Sequence, residues 1–135
     1  MRTGGIEVSS FPPVEKISQA LKICAENQTP IKCTAGLHHP FRHYNNDVKT
    51  KMHGFINVFL AGIFAYTLGI NEYHLTLLLL DENKDNFQFT VDSIKWENFE
   101  VFKEEISHAR VKFILSFGSC SFEEPIEDLR LLNLI

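Results

Sequence analysis

The chain has 135 residues, 44 % hydrophobic and 22 % charged, which suits one globular domain and excludes a disordered, collagen-like or low-complexity chain. Length also excludes a complete (β/α)8 barrel, which needs roughly 250 residues. Thirteen basic against seventeen acidic residues leave a net charge of −4, which argues against a nucleic-acid binder that tracks phosphates with a basic face.

In chain order, Arg2–Thr3 enters Gly4–Gly5 almost at once, so only a minimal strand precedes the first turn. Pro12 and Pro13 suit a helix start, and Val14, Ile17, Leu21 and Cys24 form a one-sided stripe at helical spacing. Asn27–Gln28–Thr29 closes that helix and Pro30 prevents its continuation. Residues 31–36 read as a short strand ending in a glycine turn, which completes a βαβ unit with parallel strands over residues 1–36. Residues 37–51 read as a polar, histidine-rich loop.

A second helix over about 52–68 is apolar nearly all round and is expected in the core. Gly69 suits its C-terminal cap, and Asn71 suits the N-cap of a third helix over roughly 72–81. The period then changes to two through Phe87, Phe89, Val91, Ile94 and Trp96, as in a small hairpin over about 87–101. Ile106, Ala109, Phe113 and Phe117 predict a fourth helix stopped at Gly118. Ser121 or Glu123 would start a last one at about Pro125 to Leu132. The fold class is therefore α/β, with a partial barrel-like βαβ unit followed by a mainly helical region with a hairpin.

Two parallel strands need neighbours on their edges and cover on both faces. The expectation is that a partner chain, a second copy or the rest of a longer protein supplies them. Three widely spaced cysteines, Cys24, Cys33 and Cys120, and no apolar leader after Met1 fit a reducing cytoplasm. The longest apolar stretch, 55–68, is too short to span a bilayer. No membrane and no nucleic acid are expected as partners.

Charge is divided along the chain. Residues 1–68 carry seven basic and four acidic groups, and residues 69–135 carry six and thirteen. A small anionic molecule is therefore expected on the first half. Arg2, Thr3, Gly4 and Gly5 form one candidate anion cradle, because glycines bring backbone N–H groups close to a ligand and arginine adds a bidentate contact. Thr34 and Arg42 are further candidates for binding the substrate.

Lys32 lies mid-strand between Ile31 and Cys33. Alternation puts it on one face with Thr34 and, in an extended chain, His38. Enclosure in a parallel sheet would lower its pKa and make it a nucleophile or base. His38, His39, His43 and His53 cluster within sixteen residues. His38 and His39 are candidates for proton transfer, but Pro40 holds His39 extended, so adjacent rings point apart and no dedicated metal spacing is present. Cys120 is a candidate reactive thiol. No cofactor is called for.

The strings RTGG, KCTAGLHHPFRH, MHGFINVFLA and SFGSCSFEEPIEDLR together resemble the C-terminal portion of a family of longer conserved bacterial proteins of unknown function. The resemblance implies that residues 1–36 continue a preceding α/β region. Locally, Ile31–Gly36 is similar to the lysine-bearing strand of deoxyribose-phosphate aldolase and related Schiff-base aldolases. That similarity implies a lyase in which Lys32 attacks a carbonyl, with Thr34 and Gly36 beside it. The leading expectation is part of a barrel-like enzyme acting on a small anionic carbonyl compound. The alternatives are a non-catalytic interaction module and a metal-dependent hydrolase using the histidine loop.

Overall fold

The computed structural model describes residues 1–119, 121 and 123–135 and is mixed α/β. In chain order the elements begin α1 (Val14–Glu26), β1 (Ile31–Thr34), β2 (His43–Asn45), β3 (Thr50–Met52), α2 (Phe55–Thr67) and α3 (Glu72–Leu80). They continue with β4 (Phe87–Phe89), β5 (Ser93–Trp96), β6 (Phe99–Phe102), α4 (Lys103–Lys112), β7 (Ile114–Gly118) and α5 (Glu124–Leu131). No helix among the described residues is long and apolar enough to cross a membrane.

α1 forms where its stripe predicts, with Val14, Ile17 and Leu21 buried. Its end needs no glycine. Gln28 takes a left-handed turn (φ 51°), Gln28 N–H bonds the Ala25 carbonyl at 3.1 Å, and Thr29 N–H bonds Cys24 at 2.8 Å. Those two bonds satisfy the last orphan carbonyls. β1 then runs through the middle of a small parallel sheet. On one side Thr3 N–H bonds the Thr34 carbonyl at 2.9 Å and Thr34 N–H bonds Met1 at 2.8 Å. On the other side β7 pairs in parallel, with Cys33 opposite Phe117 and Thr34 opposite Gly118.

β7 is the main correction to the expected elements. A helix was expected through Phe117, but α4 stops at Lys112 and Phe113 leaves helical geometry (φ −128°, ψ −71°). Pairing explains the break. The Phe113 carbonyl accepts Ile31 N–H at 2.8 Å, and Ile114 and Phe113 are fully buried. Extending α4 would leave the β1 edge unpaired, and an unpaired buried N–H costs about 1–3 kcal/mol. The neighbour that the first strands lacked thus comes from this chain. Gly118 ends a strand, and a helix does not reach it.

Two smaller corrections concern strands. The histidine-rich segment holds the β2–β3 hairpin, whose turn is capped by Asn45 Oδ1 accepting the N–H groups of Asp47 (2.9 Å) and Val48 (3.2 Å). The expected hairpin after Asn86 is a three-stranded meander, β4–β5–β6, with Phe87 opposite Trp96 and Ile94 opposite Val101. α2 lies at the centre, buried from Phe55 to Ala65 on nearly every side, and packs on α1, α3, α4 and β7. Asn71 caps α3 by accepting His74 N–H at 3.0 Å, as expected. Ser121 Oγ accepts Glu124 N–H at 3.1 Å and so helps start α5.

Candidate functional site

β1 and β7 end side by side at Thr34 and Gly118. In parallel sheets ligands lie beyond this carboxyl edge. Beyond β1 the chain turns through two left-handed residues, Ala35 (φ 65°) and Gly36 (φ 76°). A side chain on Gly36 would place its Cβ 2.7 Å from the Gly4 Cα, so the two glycines meet back to back. Thr3 holds the turn from below, its hydroxyl donating to the Ala35 carbonyl at 2.6 Å. The turn swings His38 and His39 away from the Lys32 face and toward α5.

The loop that carries them is fixed by its backbone. Phe55 N–H and Ile56 N–H, unpaired at the start of α2, donate to the carbonyls of His39 and Pro40, both at 2.9 Å. This satisfies helix-end donors without a side-chain cap. Asn57, fully buried in α2, accepts Arg42 N–H at 2.9 Å. Its amide donates to the carbonyls of Leu78 at 2.9 Å and Asp81 at 2.8 Å. One side chain thus ties the histidine loop, α2 and the end of α3 together.

α5 supplies carboxylates to both histidines. His38 Nδ1 lies 2.9 Å from Glu124 Oε2 and 3.2 Å from Ser119 Oγ. Because the carboxylate only accepts, the Nδ1 proton points at Glu124. Ser119 meets the same nitrogen, whereas a serine–histidine–acid relay needs the serine and the acid on opposite ring nitrogens. His39 Nδ1 bonds Asp128, and its Nε2 lies 3.8 Å from Glu124 Oε1. The His39 ring meets His43 edge to face at 4.3 Å. His43 donates from Nδ1 to the Phe41 carbonyl at 3.1 Å, and burial holds its pKa below the usual histidine range.

His53 stands apart from this group. It is 2 % exposed, and Nε2 donates to the Pro12 carbonyl at 2.9 Å while Nδ1 faces Arg42 Nη1 at 3.1 Å. Arginine donates only and a carbonyl accepts only, so His53 is the neutral Nε2–H tautomer. Burial, aided by the Arg42 charge, pushes its pKa down to about 4. Arg42 itself is half-buried. Burial draws it below its usual range, partly offset by Glu82 and Glu15, and it stays charged. Among the described residues it forms no ion pair with a carboxylate. Arg42 lines a cleft of about 350 Å³ with His39, His43, Glu82, Lys84 and Asp128.

The expected residues therefore fall into separate places. Arg2, Lys32 and Thr34 share the outer face of the parallel sheet, where all three are exposed. Lys32 is not enclosed as expected, because helices cover only the side of β1 that carries Ile31 and Cys33. His38 does not share that face, because the turn at Ala35–Gly36 interrupts the extended chain. At Gly4 and Gly5 the close packing lies on the side where a Cβ would stand. The space over Gly4 is filled by Phe11 and Gly36, and that over Gly5 by the Ser10 side chain. Thr3 spends its hydroxyl on the Thr34 and Ala35 carbonyls.

Cys120 lies outside the described residues. Cys33 is a buried thiol whose pKa burial raises to about 11, which makes it a poor nucleophile. Among the described residues no group of three or more histidine, cysteine, aspartate or glutamate side chains is placed to hold a metal ion. Sequence reasoning missed Glu124, Asp128 and Asn57. The first two did leave a signal, since they stand one helical turn apart on the terminal helix. Asn57 was visible as a polar residue inside an otherwise apolar helix.

Compared with protein-family models, with curated proteins and with solved structures, the chain matches none.

Proposed function

We propose that the histidine loop and α5 form an acid–base site for a small anionic carbonyl compound, at the carboxyl edge of the parallel strands as in α/β-barrel enzymes. The observation that carries this reading is one cleft containing both a half-buried Arg42 without a carboxylate partner and a His39 backed by Asp128. Arg42 would take the substrate's carboxylate or phosphate in a bidentate contact. His39, oriented by Asp128 through Nδ1, would move a proton at Nε2, the role a carboxylate-backed imidazole fills in general base catalysis. A lysine nucleophile is a weaker choice, since Lys32 lies exposed on another face.

The test is solvent deuterium exchange at the α-carbon of small 2-oxo acids and phosphorylated ketones, followed by NMR. Wild type is expected to catalyse exchange for at least one of them, with His39→Asn losing at least about a hundredfold, as expected for a general base. Lys32→Met is expected to exchange at the wild-type rate. Unchanged exchange in His39→Asn removes the acid–base reading, and loss in Lys32→Met with a borohydride-trapped adduct returns the Schiff-base one.

A second reading rests on the sheet. Parallel sheets are ordinarily covered on both faces, yet Arg2, Lys32 and Thr34 lie exposed on the outer one. That face suits a second copy or a further packed layer of a longer protein. A compact monomer by light scattering, with no change on dilution, would count against self-association.

A further inference from the structure

A second cleft, between α2, β7 and α4, shares no lining residue with the histidine cleft. It measures about 260 Å³ and is lined by Phe55, Phe59, Ile63, Ile106 and Phe117, with Arg110 among them. Its walls include packed aromatic rings. Phe55 stacks on Phe117 at 5.0 Å between centroids, and Phe59 meets Phe117 edge to face at 5.5 Å. The Arg110 guanidinium lies 5.4 Å over the Phe59 ring. Among the described residues it forms no ion pair. A flat cation over an aromatic face keeps its in-plane donors for an acceptor. Apolar walls with one placed cation suit an amphipathic anion, and the arginine fork matches a carboxylate.

We propose that this cleft binds a medium-chain monocarboxylate, the tail between α2, β7 and α4 and the carboxylate on Arg110. Size sets the shortest tail that fills the cleft. An apolar cavity of about 150 Å³ takes benzene, so 260 Å³ accommodates about ten carbon atoms. A neighbouring cleft lined by Phe55, Phe117, Leu129, Pro125 and Ile126 extends the apolar surface toward the start of α5. Longer tails therefore have somewhere to go. A saturated chain bends to follow such a surface, whereas a fused ring system would not.

Titration calorimetry of the full chain with decanoate, decanol and butyrate tests the assignment. One saturable decanoate site is expected, with butyrate much weaker because its tail leaves the cleft unfilled. Arg110→Gln is expected to weaken decanoate about tenfold or more while leaving decanol unchanged. Ile106→Trp, which fills the cleft from α4, is expected to abolish both. Equal decanoate affinity in Arg110→Gln, retained binding in Ile106→Trp, or no saturable binding in wild type overturns the proposal. Should Arg110→Gln fail to fold, the wild-type comparison decides: decanol binding as tightly as decanoate also overturns it.

Discussion

Asn57→Leu is the most direct test of how the histidine loop is held. The substitution keeps the side chain near its original size, so little cavity is created. It removes all three hydrogen bonds of a fully buried amide. The Leu78 carbonyl retains Asp81 N–H at 3.3 Å, and Asp81 is exposed enough for water to replace its lost donor. Arg42 N–H loses its partner outright. An unsatisfied buried group costs about 1–3 kcal/mol, so the whole substitution is expected to cost about 2–4 kcal/mol. For a domain of this length each kcal/mol lowers Tm by about 3–4 °C, giving a fall of roughly 6–16 °C. Thermal unfolding by circular dichroism measures the fall, and amide exchange at Arg42 should quicken with it. A variant within about 0.5 kcal/mol of wild type, with Arg42 exchange unchanged, would refute the reasoning, because surface-type substitutions stay in that range.

Two further outcomes follow from buried groups. His53 has a folded-state pKa of about 4 against an ordinary 6.5, so between those values the unfolded chain binds the proton more tightly. Its contribution is complete above pH 6.5 and is lost as pH falls toward 4, by roughly 3 kcal/mol. His53→Gln can still donate to Pro12 but does not titrate. Denaturant midpoints measured across that window should fall less steeply for it than for wild type, and parallel curves would disprove the assignment. Gly36→Ala must hold an alanine at φ 76° with its Cβ 2.7 Å from the Gly4 Cα, and should cost more than about 2 kcal/mol. Gly69→Ala is the control, since a Cβ there meets nothing within 4 Å. Similar losses at both glycines would show that the close approach to Gly4 contributes nothing.

How far the fold could be read in advance varied with the range of the forces involved. α1 and α3 were legible because their signals are local: a stripe at helical spacing in α1, Asn71 at a cap, Pro30 at a stop. β7 was not legible. Phe113 and Phe117 fit a helical period as well as a strand, and the choice was made by the unpaired edge of β1, some eighty residues away in the chain. The candidate site divided in the same way. His38, His39 and Arg42 stood out by type and density. The carboxylate partners of the two histidines, Glu124 and Asp128, became partners only when α5 folded back over the loop.

By itself the sequence determined α1, α2, α3 and α5, the parallel relation of the first strand to β1, and the concentration of titratable side chains between β1 and α2. Hydrophobic period, proline and capping residues act over a few neighbours, and that range is all they need. Only the tertiary structure decided which side of β1 is enclosed, and hence that Lys32 is exposed while His39 meets Asp128. Burial and pairing depend on groups distant in the chain. A lysine mid-strand and a histidine after a glycine look equally promising until the packing of α2, β7 and α5 shows which one is desolvated and partnered.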